Sequence, residues 1–263
     1  MPITAYSRPV SDAHPAAGGG DDDGSGIALT RELIGLSKAA NYRDWLFAMA
    51  APHLGERVVE VGSGMGTMFA CIEDRQRAVA IELIPTYVAG FQRLYAGCAN
   101  VEVYEGDATD PVLWAAIRAR GPLDSAMSFN VVEHIEDDVA VMRNVLGALR
   151  PGGRMVIFTP AFPRLFGAMD AAVGHVRRYR RRELAAKARI AGFRVIDCHF
   201  VNAPGFFLWF VSGRVLRATG PPGAARSVRI LDRLVVPVVR RLERRWHPPF
   251  GQSLLLVAEK PQR

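Results

Sequence analysis

The sequence predicts an α/β fold: a doubly wound, mostly parallel sheet of seven strands with a helical insertion before the last strand. Three observations lead there. The β-favouring run Val58-Val59-Glu60-Val61 enters a turn with glycines at alternate positions, Gly62, Gly64 and Gly66. Beyond it, short apolar runs alternate with segments of helical periodicity, the pattern of a parallel sheet covered on both faces. Residues 202–250, between the last two strands, are more chain than such a core needs.

Composition sets the bounds. Of 263 residues, 49% are hydrophobic and 22% charged, as in ordinary globular domains. The N-terminus has no basic flank leading into an apolar run, and no stretch reaches the roughly 18 apolar residues of a membrane span. Cys71, Cys98 and Cys198 lie far apart in sequence. They imply neither a disulfide framework nor a zinc site, so a cytoplasmic setting and no metal are expected. Charge is uneven: residues 1–174 carry 14 basic and 21 acidic side chains, residues 175–263 carry 19 and 5. A basic final third fits an anionic neighbour, such as a phosphorylated substrate, a membrane surface or nucleic acid, or else an arginine-rich solvated face.

In chain order, residues 1–27 are polar and glycine-rich and are expected to be a disordered tail, with one domain over 28–263. Helices are expected at Leu29–Leu36 and Ala40–Leu54, then the Val58–Val61 strand and a helix over Met65–Ile72. The strand Ala78–Ile81 ends at Glu82 and is followed by a helix, Pro85–Tyr95. Val101–Tyr104 is a strand, Pro111–Arg118 a helix, Leu123–Phe129 a strand and Ile135–Leu149 a helix. Pro151-Gly152-Gly153 reads as a turn before the strand Arg154–Thr159. A helix at Arg182–Ala191 and strands at Phe193–Phe200 and Ser253–Glu259 complete the core. Within the insertion, Phe206–Val211 is wholly apolar, and Ser227–Trp246 is an amphipathic helix kinked or broken at Pro237.

A glycine turn after a buried strand lets the backbone approach a ligand closely. Its G-x-G-x-G spacing differs from the G-x-G-x-x-G of dinucleotide enzymes, which argues against a nicotinamide oxidoreductase. Glu82, twenty residues beyond Gly62, is placed to accept from both hydroxyls of a ribose, and Asp107 to accept from an adenine amine. His134 and His175 are the available bases; His199, on a strand face with Asp197, reads as a structural contact.

The stretch VVEVGSGMGT, with Glu82, Glu105-Gly106-Asp107-Ala108, Asn130-Val131-Val132-Glu133-His134 and Leu149-Arg150-Pro151-Gly152-Gly153, resembles class I S-adenosylmethionine-dependent methyltransferases. NYRDWL at 41–46, FNVVEHIEDD, Gly174-His175-Val176-Arg177-Arg178-Tyr179 and PPFGQS at 248–253 narrow the resemblance to a bacterial subgroup often found beside secondary-metabolite genes. The resemblance implies a Rossmann-like methyltransferase fold and S-adenosylmethionine as cofactor. It puts Gly62, Ser63 and Gly64 under the methionine part, with Tyr42 and Glu60 near its amino and carboxylate groups. Glu82 goes to the ribose, Asp107 and Ala108 to the adenine, and Asn130 faces the sulfonium.

The implied reaction is methylation of an oxygen or nitrogen on a small-molecule acceptor, as in natural-product tailoring. Candidate catalytic residues are His134, His175 and Tyr179, and the insertion 202–250 is expected to cap the acceptor. Two alternatives stand beside this: a peripheral-membrane enzyme with a lipid-like acceptor, and a methyltransferase fold using its cofactor for another reaction. Phe206–Val211, followed by Arg214 and Arg217, motivates contact with an anionic membrane. Nucleic acid is disfavoured as a partner. The Asn/Asp-Pro-Pro-aromatic turn of amino-methylating enzymes is missing after the fourth strand, and His247-Pro248-Pro249-Phe250 lies far from that position.

Overall fold

The computed structural model describes residues 39–211 and 230–262. Its seven strands are β1 (Arg57–Val61), β2 (Arg77–Glu82), β3 (Val101–Glu105), β4 (Leu123–Phe129), β5 (Leu149–Pro160), β6 (Arg194–Val201) and β7 (Ser253–Glu259). They form one sheet in the order β3-β2-β1-β4-β5-β7-β6. Neighbours from β3 to β5 are parallel, whereas β7 is antiparallel to both β5 and β6. Strand order reverses between β1 and β4, and a ligand crevice opens beyond the carboxyl ends at such a point.

Helices cover both faces: α1 (Ala40–Ala50), α2 (Pro85–Leu94), α3 (Pro111–Ala119), α4 (Asp138–Ala148), α5 (Ala168–Ala172), α6 (Arg181–Ile190), α7 (Ala203–Phe210) and α8 (Val236–Glu243). Alternate strand residues feed two cores. Val59 and Val61 pack with Trp114, Ile117 and Met142, and Val58 packs with Trp45, Phe69 and Phe91. Asp110 and Asp137 cap α3 and α4, accepting from Val112 N and Ala140 N.

Several expectations are corrected. Only Phe69–Cys71 is helical, as a single 3-10 turn, within the expected Met65–Ile72 helix. Gly64 and Gly66 have φ of 53° and 81°, which a right-handed helix cannot hold. α4 starts at Asp138 and not at Ile135, because Val132–His134 make their own 3-10 turn and Asp137 takes the cap. Pro151-Gly152-Gly153 lies inside β5: Gly152 N donates to Lys260 O and Lys260 N to Gly153 O, so pairing continues past the glycines. The tail 1–27, the helix at Leu29–Leu36, Arg214, Arg217 and the start of the Ser227–Trp246 helix lie outside the described residues.

Pro237 does not break its helix. The wider π turn Leu231–Val235 precedes it, and the proline sits in the first turn of α8, where it sacrifices little. That π turn carries buried Asp232, whose carboxylate accepts from Asn41 N (3.2 Å) and Tyr42 N (2.9 Å). The insertion thus caps the start of α1 from 190 residues away.

Candidate active site

A cavity of about 600 Å³ opens beyond the carboxyl ends of β1 to β4. Tyr42, Glu60, Gly62, Ser63, Gly64, Glu82, Asp107, Ala108 and Asn130 all line it, as do His134 and His175. Sequence positions from 42 to 175 thus converge on one crevice.

The glycine turn is shaped by backbone geometry. Gly62 has φ 72°, and a Cβ there would fall 2.4 Å from a methyl of Val131. Its bare Cα therefore admits the loop after β4. Gly64 N donates to Glu82 Oε2 at 2.6 Å, while Leu83 N (3.0 Å) and Ile84 N (2.9 Å) share Oε1. Burial raises the Glu82 pKa, and these three bonds oppose the rise. One lone pair on Oε2 is left over for a ligand hydroxyl.

The Glu60 side chain is buried, yet Oε2 has no hydrogen-bond partner among the described residues. Burial, reinforced by nearby Glu82, raises its pKa well above the carboxylate range, against a hydrogen bond from Ser63. A buried acceptor of this kind on a cavity wall matches a cationic or donor group from a ligand.

Two other walls are fixed locally. Ala108 is held by its carbonyl, which accepts from Trp114 Nε1 (2.7 Å) and Asn144 Nδ2 (3.2 Å). Asp107 is exposed and closes a turn with Thr109 N. Asn130 adopts φ 53°, turning the chain sharply off β4; asparagine tolerates this left-handed conformation better than most residues.

The loop after β4 and the segment 167–179 interlock. His134 Nδ1 stands 3.2 Å from Gly174 O, so that nitrogen carries the proton and Nε2 the lone pair. Burial, and then the neighbouring His175, lower its pKa to about 4. The two imidazole rings meet edge to face, 4.6 Å between centroids. His175 Nδ1 lies 2.9 Å from Asp170 Oδ1, and its Nε2 lies 3.8 Å from Glu133 Oε1. Arg178 Nε also reaches Asp170 Oδ1 at 2.7 Å, while Thr159 Oγ1 donates to Glu133 Oε2 at 2.9 Å.

Tyr179, a candidate catalytic residue in the sequence, does not reach this cavity. It is fully buried and its hydroxyl donates to Asp138 Oδ2 (2.6 Å), so it braces the loop. Nor do the described residues of 202–250 line the cavity. They reach it indirectly, through Asp232 on α1 and through Trp209, over whose ring the Arg178 guanidinium sits at 4.6 Å.

Glu133, Asp138, Asp170 and Asp232 were missed as functional candidates. Glu133 and Asp138 stood inside a quoted motif, whereas nothing near Asp170 or Asp232 marks either. Contrary to the expectation of no metal-competent set, Glu133, His134 and His175 offer ligand atoms within 4.8 Å of one another. They come from two separate segments, so no ligand spacing shows in the sequence.

Residues 37–197 match the family model described as a methyltransferase domain. The chain belongs to this methyltransferase family. Over 143 residues it is 24% identical to an uncharacterized 37.1 kDa protein in transposon TN4556 of Streptomyces fradiae, covering 53% of this chain and only 40% of that one. Among solved structures, a chain of the Haloferax volcanii complex containing the Trm112 methyltransferase activator superposes with TM-score 0.58 at 16% identity, over 92% of this methyltransferase and 100% of that chain. An S-adenosylmethionine-dependent methyltransferase from Mesorhizobium loti gives 0.52 at 16% identity, over 82% and 97%. The [4+2]-cyclase SpnF gives 0.50 at 18% identity, over 82% and 80%. At these identities the structural likeness concerns the fold.

Proposed function

We propose that this methyltransferase takes its methyl group from S-adenosylmethionine and passes it to an oxygen or nitrogen of a small-molecule acceptor. The observation that carries the reading is the unpartnered Glu60 Oε2, buried on the wall of the cavity that the glycine turn helps to form. An amino group there satisfies the carboxylate and restores its charge. Tyr42 faces the carboxylate end of the same amino acid moiety, and the backbone of Gly62, Ser63 and Gly64 supports its chain. Glu82 accepts from the ribose, and Asp107 and Ala108 border the adenine. When bound, S-adenosylmethionine supplies an electrophilic methyl group on a sulfonium.

The chain's own residues then position the acceptor, which accounts for much of the rate of an in-line displacement. Asn130 and His134 orient it, His134 through its neutral Nε2. His175 takes up the proton that the acceptor loses. Asp170 holds its ring, and the Asp170 and Glu133 carboxylates stabilise the positive charge that develops there. Incubation with methyl-labelled cofactor and a panel of hydroxylated and aminated compounds tests this. Label should enter a compound with wild-type protein and far more slowly with His175→Ala. Cofactor binding with no label transferred to any compound favours a non-methylating use of the fold.

A second reading rests on a separate observation. Ile230, Leu234, Val238, Leu242 and Trp246, at four-residue intervals, are each 52–67% exposed. Arg233, Arg241 and Arg245 are exposed beside them, and Phe207, Leu208, Phe210 and Val211 add further exposed apolar surface. No helix among the described residues is long and apolar enough to cross a membrane, so any contact is peripheral. An apolar ridge flanked by arginines suits the headgroup layer of an anionic bilayer, and it implies a lipid-like acceptor. Flotation with anionic liposomes should recover the protein, less so at high salt or with Leu234→Ser. Protein that never floats and instead forms a salt-insensitive dimer through this ridge removes the membrane reading.

A further inference from the structure

A second cluster of ligating side chains lies outside the methyl-transfer cavity. Asp197 and His199 stand on one face of β6, and His247 follows α8 where the insertion returns to the sheet. His199 Nδ1 is 2.7 Å from Asp197 Oδ2. The His247 ring stacks on the His199 ring, with 3.7 Å between centroids and 4° between planes. One ligand atom from each of the three lies within 4.8 Å of the others, and none of the three lines the methyl-transfer cavity.

From this geometry we propose that Asp197, His199 and His247 bind a divalent transition metal of the zinc class. Two imidazoles and one carboxylate are a borderline donor set that favours such ions over magnesium or calcium, and water completes the coordination. The stacked rings hold their in-plane lone pairs parallel, so binding requires the exposed His247 ring to turn off the His199 face and the ion to replace the His199–Asp197 hydrogen bond. His199 is largely covered, whereas Asp197 and His247 open to solvent and give the ion a route in. Burial lowers the His199 pKa, with Asp197 opposing, which keeps the ring neutral and able to ligate. The nearby cation Arg154 is held by Glu259. His53 neighbours Asp197 and His199, and Glu243 neighbours His247.

The site has a structural consequence. β6 is an edge strand, paired only with β7, and His247 ends the segment whose other end, at Asp232, caps α1 beside Tyr42. A bound ion clips the insertion to the sheet and so steadies the helix that borders the cavity. The inference does not depend on the methyl donor.

Untagged protein stripped with chelator is titrated with zinc by calorimetry and with cobalt by visible absorption. Binding of one equivalent is expected, with cobalt giving the intense bands of a low-coordinate site. His247→Ala, at an exposed position, and His199→Asn should each weaken binding by at least about tenfold, as loss of one ligand requires. Zinc should raise the melting temperature of the wild type and not of His247→Ala. A His134→Ala/His175→Ala variant controls for the other cluster and should still bind. The proposal is overturned if wild type fails to bind either ion, if both cluster variants bind as wild type does, or if binding is lost only in the control.

Discussion

Tyr179 donates its hydroxyl to Asp138 Oδ2 at 2.6 Å, joining residues 41 apart in sequence. Asp138 is buried and also meets Lys187 Nζ at 2.8 Å and Arg177 Nη1 at 3.1 Å. Tyr179 O accepts from Phe162 N, and Val176 N donates to Glu133 O at 2.9 Å. The motif after β4 and the GHVRRY motif are therefore each other's partners: one presents His134 and the other holds it in place with His175.

Tyr179→Phe should cost about 1–3 kcal/mol of stability, the usual penalty when a buried partner is removed. Asp138 keeps two cations, so the fold survives. Because the hydroxyl touches no cofactor residue, cofactor affinity should stay within about twofold, the order of experimental scatter. Denaturant melts and calorimetry on the same preparation separate the two effects.

Asp170 is the sharper test of the histidine relay. Burial works against its charge, yet the bonds from His175 and Arg178 hold its carboxyl below the ordinary range. Its stabilising contribution is therefore present above the ordinary carboxylate pKa and is lost as pH falls through its depressed value. Asp170→Asn removes the buried carboxylate that pairs with both Arg178 and His175 and should cost about 3–5 kcal/mol. His175→Ala, which leaves the Arg178–Asp170 pair intact, should lower turnover with cofactor affinity nearly unchanged. Equal stability losses in the two variants would contradict the pairing.

Folding lowers the His134 pKa from 6.5 to about 4. Between those values the unfolded chain binds a proton that the native state refuses, so the stability contributed by this group declines as pH drops from 6.5 towards 4. The decline is on the order of 3 kcal/mol at most. Melts at several pH values should show a shallower acid slope in His134→Asn than in wild type; parallel slopes would contradict the buried, neutral ring.

The fold was legible because its signals are local. Buried runs such as Ala78–Ile81 and Leu254–Ala258 and the amphipathic helices between them need no distant information. The cofactor wall was legible for a similar reason, since Gly62, Glu82, Asp107 and Asn130 each end a strand or follow one. The failures lie where backbone turns and tertiary packing decide the outcome. Asp170 matters only because the chain turns back at Gly174 and sets His175 and Arg178 beside it, and Asp232 only because the insertion folds onto α1. Tyr179 drew a catalytic assignment from its place beside His175, and only packing turns its hydroxyl inward to Asp138. Met65–Ile72 looked helical because composition does not reveal that Gly64 and Gly66 take positive φ.

Calorimetric titration of S-adenosylmethionine into wild type and Glu60→Gln tests the cavity's occupant most directly. Burial favours the neutral Glu60 carboxyl when no ligand is bound, and its Oε2 has no hydrogen-bond partner among the described residues, so a neutral amide of the same shape replaces it at little cost. Glu60→Gln should therefore be about as stable as wild type. It should nevertheless bind the cofactor roughly ten- to a hundredfold more weakly, the effect of losing about 1.5–3 kcal/mol from a charged hydrogen bond. A wild type that does not bind S-adenosylmethionine, or a variant that binds it with wild-type affinity, would contradict the role of Glu60 and the cofactor assignment of the cavity.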